Sequence, residues 1–206
     1  MRRILVTYIL MILTAASGHA RIGEDSAQSV TYGIEWGYMP SFFSSHDYYF
    51  FDPDGYFRVY ESEYGAGYFT NAEVNLHVGW NIGSRWNLSL HSGYAGAADF
   101  SPVIPITLRA TRFWGDNHLA DRWFAFGELG SGLVIKEKPQ EIAACRFGGG
   151  YRLSLSKDTK MDFIAALRAL YMHPEVIHYG KTIDKELLIR NDGYVGSLYF
   201  GISLTF

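Results

Sequence analysis

Apolar and other side chains alternate along eight stretches of this chain, and the last stretch shows the pattern most clearly. Every second residue is apolar in the segment that ends at Phe206, namely Leu198, Phe200, Ile202, Leu204 and Phe206. Successive side chains of a β-strand point to opposite faces, so this pattern predicts a strand with one apolar face. The eight predicted strands cover residues 29–39, 69–80, 85–95, 103–113, 122–135, 145–155, 161–172 and 193–206. The chain is therefore expected to be all-β.

The lengths of the strands and of their connections indicate a membrane-spanning barrel. The strands have the length of a tilted strand that crosses a bilayer. Connections after the second, fourth and sixth strands are short (81–84, 115–121, 157–160), and the others are mostly longer (40–68, 96–102, 136–144, 173–192). Outer-membrane barrels have short periplasmic turns and longer external loops. We therefore expect an eight-stranded antiparallel up-and-down transmembrane β-barrel, with Trp80, Trp86, Trp114 and Trp123 at its periplasmic rim.

The amino terminus and the composition agree with export across a Gram-negative envelope. Arg2 and Arg3 precede an apolar stretch, and Gly18-His19-Ala20 supplies small residues for cleavage, so residues 1–20 are predicted to be a signal peptide. The barrel domain is then 21–206, with 16 basic and 21 acidic residues after Arg2 and Arg3 are removed from the 18 basic residues. This acidic balance excludes a strongly basic nucleic-acid binder. A single cysteine, Cys145, leaves no disulfide or cysteine metal site, and we expect no cofactor or metal.

An aromatic hairpin is predicted at residues 46–60, around the turn Asp52-Pro53-Asp54-Gly55. Its arms of about five residues are too short to cross hydrocarbon, so we place it outside the membrane as an extension of the first two strands. A ten-stranded barrel is the alternative. Aromatic rings bury much area at small entropic cost, which makes the hairpin a candidate contact surface. The candidate contact residues are Tyr48, Tyr49, Phe50, Phe51, Tyr56, Phe57 and Tyr60.

Charged side chains occupy the face of the strands that parity directs into the barrel. Four acids (Glu35, Glu73, Glu128, Asp162) and four arginines (Arg109, Arg146, Arg152, Arg168) belong to this inward set. An eight-stranded barrel is just wide enough for side chains to fill, and buried charges must pair. We expect a neutral, hydrogen-bonded plug, and the alternative is an ion or proton path.

The carboxy-terminal half carries motifs that resemble a known family. These are Phe126-Gly127-Glu128-Leu129-Gly130-Ser131-Gly132, Arg146-Phe147-Gly148-Gly149-Gly150-Tyr151 and Leu167-Arg168-Ala169-Leu170, followed by Asn191-Asp192-Gly193. Over about the last eighty residues the chain resembles small outer-membrane barrels, including the lipid A 3-O-deacylase family, and the closing strand resembles the assembly signal of such barrels. The resemblance implies an outer-membrane location and a catalytic His-x-Ser pair with an acid.

The catalytic residues of that family are mostly replaced in this chain. The His-x-Ser position reads His173-Pro174-Glu175, and the position of the acid falls near Val195. A base without a nucleophile to activate cannot run acyl transfer. The remaining catalytic candidates are His173, Glu175 and His178, which lie in one loop.

The sequence therefore favours a non-catalytic outer-membrane barrel with a structural or partner-binding role in the cell envelope. Its expected contacts are outer-membrane lipid, lipopolysaccharide and another envelope protein through the external loops. The alternative is a hydrolase of lipid A or another acyl lipid, and a third hypothesis is a narrow channel.

Overall fold

Eleven strands form in the part of the chain that a computed structural model describes, which is residues 29–52, 57–66, 69–96, 102–115, 117, 119–135 and 140–206. The predicted signal peptide, Tyr56 and residues 53–55 of the predicted turn lie outside the described residues. The strands are β1 (Val30–Phe51), β2 (Arg58–Gly65), β3 (Phe69–Ile82), β4 (Trp86–Gly96), β5 (Pro102–Phe113), β6 (Arg122–Val134), β7 (Gln140–Ser154), β8 (Lys160–Met172), β9 (Ile177–His178), β10 (Lys181–Thr182) and β11 (Leu188–Thr205).

Eight of these strands close into a ring by antiparallel pairing. The ring runs β1–β3–β4–β5–β6–β7–β8–β11 and is closed by the pairing of β11 with β1. Gly33 lies opposite Thr205 at this seam, and the backbone groups of Tyr32 and Phe206 bond to each other in both directions. The predicted eight-stranded barrel is confirmed, and β2 pairs with β1 beyond the ring, so the ten-stranded alternative is wrong.

The described part of the chain contains no helix that is long and apolar enough to cross a membrane.

The outer face of the barrel is apolar and its inner face is polar, as strand parity predicts. Leu76, Leu129 and Phe147 expose between 65% and 70% of their surface on the outside. Arg146 precedes the exposed Phe147, and Arg168 follows the exposed Leu167. Both arginines are buried inside the barrel. The four tryptophans predicted at the periplasmic rim are also exposed outward. This is the architecture of a bacterial outer-membrane β-barrel.

The first and last strands continue beyond the ring and carry a three-stranded extension. In it, the upper part of β1 (residues 44–51) pairs with β2 on one side and with residues 188–195 of β11 on the other. The predicted hairpin pairing is therefore present, but the structure corrects three boundaries of the predicted loops. β1 runs through to Phe51, and β11 begins at Leu188 because its first residues pair with the upper part of β1. β7 begins at Gln140, inside the predicted loop 136–144, because its first residues pair with the end of β6.

Candidate functional site

A network of buried charges crosses the middle of the barrel lumen, with Glu35 at its centre. Arg109 donates two hydrogen bonds to the Glu35 carboxylate, at 2.6 and 2.8 Å, and Arg146 donates one at 3.1 Å. The Tyr199 hydroxyl donates a fourth at 2.7 Å. Glu35 and its three partners lie on four different strands (β1, β5, β7 and β11), so the network ties the opposite walls of the barrel together.

Two further acids complete this central network. Glu128 accepts from Arg109 at 2.7 Å and from the Thr107 hydroxyl at 2.8 Å. Glu73 accepts from Arg146 at 2.6 Å. Every side chain in the network is at most 6% exposed. Arg109 is shared between Glu35 and Glu128, and Arg146 is shared among all three acids, so the charges hold one another in fixed positions across the lumen.

The lumen holds one more arginine than the sequence analysis predicted. All eight predicted charged residues lie inside, and Arg152 forms a bidentate pair with Asp162 at 2.7 Å. Arg122 is also buried: it stacks on Phe113 at 4.0 Å and donates to the Ser84 carbonyl. The predicted four-to-four balance is therefore wrong, because Arg122 begins its strand on the inward parity and was left out of the inward set.

Two small cavities remain on either side of the central network. Arg168 lines the external cavity, of about 10 Å³, and His77 and His91 line the periplasmic one, of about 30 Å³. Cavities of this size hold one or a few water molecules and no larger ligand. Within the described residues, no group of three or more histidine, cysteine or acidic side chains is placed to hold a metal ion. The lumen therefore forms a packed polar core.

The inner face of the extension is covered by the last external connection. Tyr48 and Phe50 are 3% and 0% exposed and pack with Val176. The Tyr48 hydroxyl donates to Glu61 and, at 3.2 Å, to Glu63. Burial, together with the hydrogen bond to Glu61, raises the pKa of Tyr48 above its ordinary value of 10.0. This phenol therefore stays protonated and holds the two carboxylates side by side.

The outer face of the extension is aromatic and exposed. Tyr60 and Tyr64 expose 63% and 73% of their surface, and Phe51, which lies opposite Arg58, is also exposed. Phe57 is exposed as well, just before β2 begins. Tyr49 is half-buried against the ring of Tyr60, 6.4 Å away between ring centres. Tyr64 lies outside the predicted hairpin 46–60 and is the most exposed of this group. It shares a strand face with Tyr60, four residues before it.

Two of the predicted contact residues do not belong to this surface. Tyr48 and Phe50 point inward because a bulge between Ser41 and Phe43 shifts the phase of β1 relative to β11. A one-residue shift moves each later side chain to the other face of the sheet. The exposed candidates that remain are Phe51, Phe57 and Tyr60.

The three catalytic candidates have separate partners. His173 Nδ1 contacts the backbone carbonyl of Asn191, and Glu175 is exposed. His178 lies 4.0 Å from Glu61 and packs edge-on against Phe50. A catalytic triad needs its nucleophile, base and orienting acid within hydrogen-bond reach of one another. The contacts of these three residues do not form that arrangement.

Comparisons with known proteins extend only to the barrel fold. Protein-family models give no match, and neither do curated protein sequences. Among solved structures, the chain is similar to the N-terminal β-barrel domain of Pseudomonas aeruginosa OprF (12% identity, TM-score 0.44, covering 88% of this chain and 100% of that one). It is also similar to Neisserial surface protein A (10%, 0.44, 87% and 100%) and to the outer membrane protease OmpT of Escherichia coli (7%, 0.41, 91% and 100%). These values describe a likeness of fold and nothing about activity.

Proposed function

We propose that this outer-membrane barrel is a non-catalytic anchor that presents its external extension to a partner protein of the cell envelope. The observation that carries the proposal is the exposed aromatic face of the extension, with Tyr60 and Tyr64 at its centre. Tyrosine is enriched where proteins bind one another, because it combines a large apolar area with a polar tip.

The filled lumen supports an anchoring role over transport. The side chains around Glu35 close the middle of the barrel, and the cavities beside them admit only water-sized molecules. An ion that passed this point would have to break several charge-assisted hydrogen bonds at once. The apolar belt around the outside contacts the lipid and lipopolysaccharide of the outer membrane.

The architecture of the extension supports a role in contact as well. Its middle strand is paired on both sides, and its inner face is packed against the last external connection. The aromatic face is therefore held on a rigid support, so little ordering entropy opposes a contact with it.

Site-specific photo-crosslinking in intact cells tests this proposal. A photo-reactive amino acid would replace Tyr60 or Tyr64, and the matched control would carry it at Lys157, in the turn at the opposite end of the barrel. We expect the two external positions to give the same discrete crosslinked protein and the control position to give none. Identical products from all three positions, or no protein product from Tyr60 and Tyr64, would contradict the proposal.

The alternative is a hydrolase of lipid A or another acyl lipid, which the resemblance of the C-terminal motifs supports. Purified protein incubated with lipopolysaccharide would then release fatty acid, detected by mass spectrometry. The contrast between His173→Ala and the wild type decides the point, because a catalytic base is required for release. We expect no release from either protein, and release that depends on His173 would establish the alternative.

A further inference from the structure

The outermost strand of the extension, β2, has one unpaired edge within the described residues. β2 is the last strand of the sheet order, with β1 as its partner on one side. An edge strand presents a row of backbone N–H and C=O groups to whatever lies beside it.

The alternation of hydrogen bonds along the hairpin determines which residues of β2 direct these groups outward. The backbone N–H of Asp52 donates to the carbonyl of Phe57, and the register of β1 with β2 continues without a shift from Phe51–Arg58 to Ser44–Gly65. In an antiparallel pair, alternate residues bond to the partner and those between them point away from it. The groups that point away from β1 therefore belong to Arg58, Tyr60, Ser62 and Tyr64. Phe51 lies opposite Arg58, so the same alternation directs its N–H away from β2. This N–H donates to the backbone carbonyl of Leu187.

This edge carries one of the features that usually block strand pairing, which is charge, and lacks the others. Such features are proline, charged side chains (lysine above all), inward-pointing charges, a β-bulge or a covering segment. β2 contains neither proline nor lysine, its register with β1 has no bulge, and no described segment pairs with its outer side. Two charges do point to its inner face, Glu61 and Glu63. These two charges determine what kind of strand can pair here.

The two carboxylates favour a basic partner. The contacts of Glu61 are the Tyr48 hydroxyl and His178 at 4.0 Å, and the contact of Glu63 is the same hydroxyl. Neither forms an ion pair with lysine or arginine in the described part of the chain, and the Glu61 side chain is 44% exposed. A strand added to β2 would place every second side chain beside these acids. Opposite charges across neighbouring strands are stabilising, and like charges are destabilising.

A second copy of this chain does not fit the edge. Two β2 edges placed side by side would bring four carboxylates together. Copies in one membrane are related by rotation about the membrane normal, and their strands tilt by about 35–45°. Their edges would then cross at about 70–90° instead of lying side by side. The occupant must be a segment of a different protein.

On the basis of the proposed function, we infer that the partner binds by adding an extended segment to β2, with basic residues at alternate positions facing Glu61 and Glu63. Strand addition obtains its affinity from main-chain hydrogen bonds and its specificity from alternate side chains. The other side chains of the segment lie beside Tyr60 and Tyr64, where β-branched or aromatic residues pack best.

Two labelled peptides test this inference on the full-length protein in nanodiscs. In one eight-residue peptide lysine alternates with threonine, and in the other glutamate replaces lysine. We expect fluorescence anisotropy to show that the lysine peptide binds about tenfold or more tightly than the glutamate peptide. Higher ionic strength should reduce this preference. Equal binding of the two peptides, or no binding of the lysine peptide, would overturn the inference.

A matched pair of variants separates backbone pairing from contact with the aromatic face. Ser62→Pro removes an outward N–H and blocks the edge while leaving the pairing with β1 intact, and Ser62→Ala is its control. We expect Ser62→Pro to weaken the lysine peptide about tenfold or more and Ser62→Ala to change it less than about twofold. A heat-dependent gel shift checks that both variants remain folded.

The outcomes also distinguish this inference from the proposed function. If Ser62→Pro binds as Ser62→Ala does, strand addition is wrong. A crosslink at Tyr60 or Tyr64 would then still support a partner that contacts the aromatic face alone. If the crosslink is absent as well, both are wrong.

Discussion

Replacing Glu35 with alanine should destabilise the barrel strongly, because this carboxylate is the centre of the lumen network. It accepts two hydrogen bonds from Arg109, one from Arg146 and one from Tyr199, and it is 0% exposed. Alanine at this position removes an acceptor from two arginine side chains and from the Tyr199 phenol, in a site closed to bulk water.

The magnitude follows from what each partner keeps. Hydrogen bonds to charged groups contribute about 1.5–3 kcal/mol each, so four would exceed 6 kcal/mol if they were independent. They are not independent, because Arg109 keeps Glu128 and Arg146 keeps Glu73. Removal of one member of a buried pair typically costs about 3–5 kcal/mol, and we expect Glu35→Ala to fall in that range.

Urea unfolding from lipid vesicles, followed by tryptophan fluorescence, measures this change in the free energy of unfolding. The control is Glu175→Ala, which removes an exposed loop carboxylate and should change stability by less than about 0.5 kcal/mol. A Glu35→Ala value within about 1 kcal/mol of the control would show that the network does not hold the barrel together as we argue.

Three other predictions follow from the structure. Gly37→Ala should destabilise the barrel by about 1–3 kcal/mol, because the new methyl group would overlap the ring of Tyr199, whereas Gly127→Ala meets nothing within 4 Å and should be nearly neutral in the same urea assay. The purified protein should give no stable single-channel steps in planar bilayers, and reproducible steps would contradict the closed lumen. A hydrogen bond from Tyr171, and then one from Arg190, lowers the pKa of Asp192 below its ordinary value of 3.8. The stability that ionised Asp192 gives to the extension is therefore present above pH 3.8 and is lost as the pH falls through the lowered pKa, so hydrogen exchange of the upper β11 amides should accelerate there in the wild type more than in Asp192→Asn.

The barrel was predictable because its physics is local. A strand of a membrane barrel turns one face to hydrocarbon and the other to the lumen. Apolar and polar side chains therefore alternate along each spanning segment. Phe147 and Leu167 face lipid while Arg146 and Arg168 face the axis, as parity alone requires. The connection lengths then gave the topology.

The extension was less predictable because aromatic residues occupy both of its faces. The segment contains four consecutive aromatic residues, Tyr48, Tyr49, Phe50 and Phe51. The sequence therefore does not show which of them face inward and which face outward. The bulge after Ser41 sets which of them face inward, and it depends on how β1 and β11 pair across the seam. The burial of Tyr48 and Phe50 could therefore be recognised only in the closed barrel.

The pairing of the lumen charges also lay beyond the sequence. Parity directs Glu35 and Arg109 inward, but they are 74 residues apart and lie on strands that are not neighbours. Their contact depends on the diameter and stagger of the cylinder. Arg122 was within reach of parity, because its neighbour Trp123 faces outward, but it was left out of the inward set.

The seam between β1 and β11 couples closure of the barrel to assembly of the extension. Closure requires β1 and β11 to meet, because the backbone groups of Tyr32 and Phe206 bond to each other across the seam. The same two strands, farther along, support the extension, whose middle strand lacks its second neighbour until the C-terminal strand arrives. We expect a molecule that stalls before closure, or loses its final strand to proteolysis, to lack the three-stranded extension. The proposed partner would then select fully assembled copies.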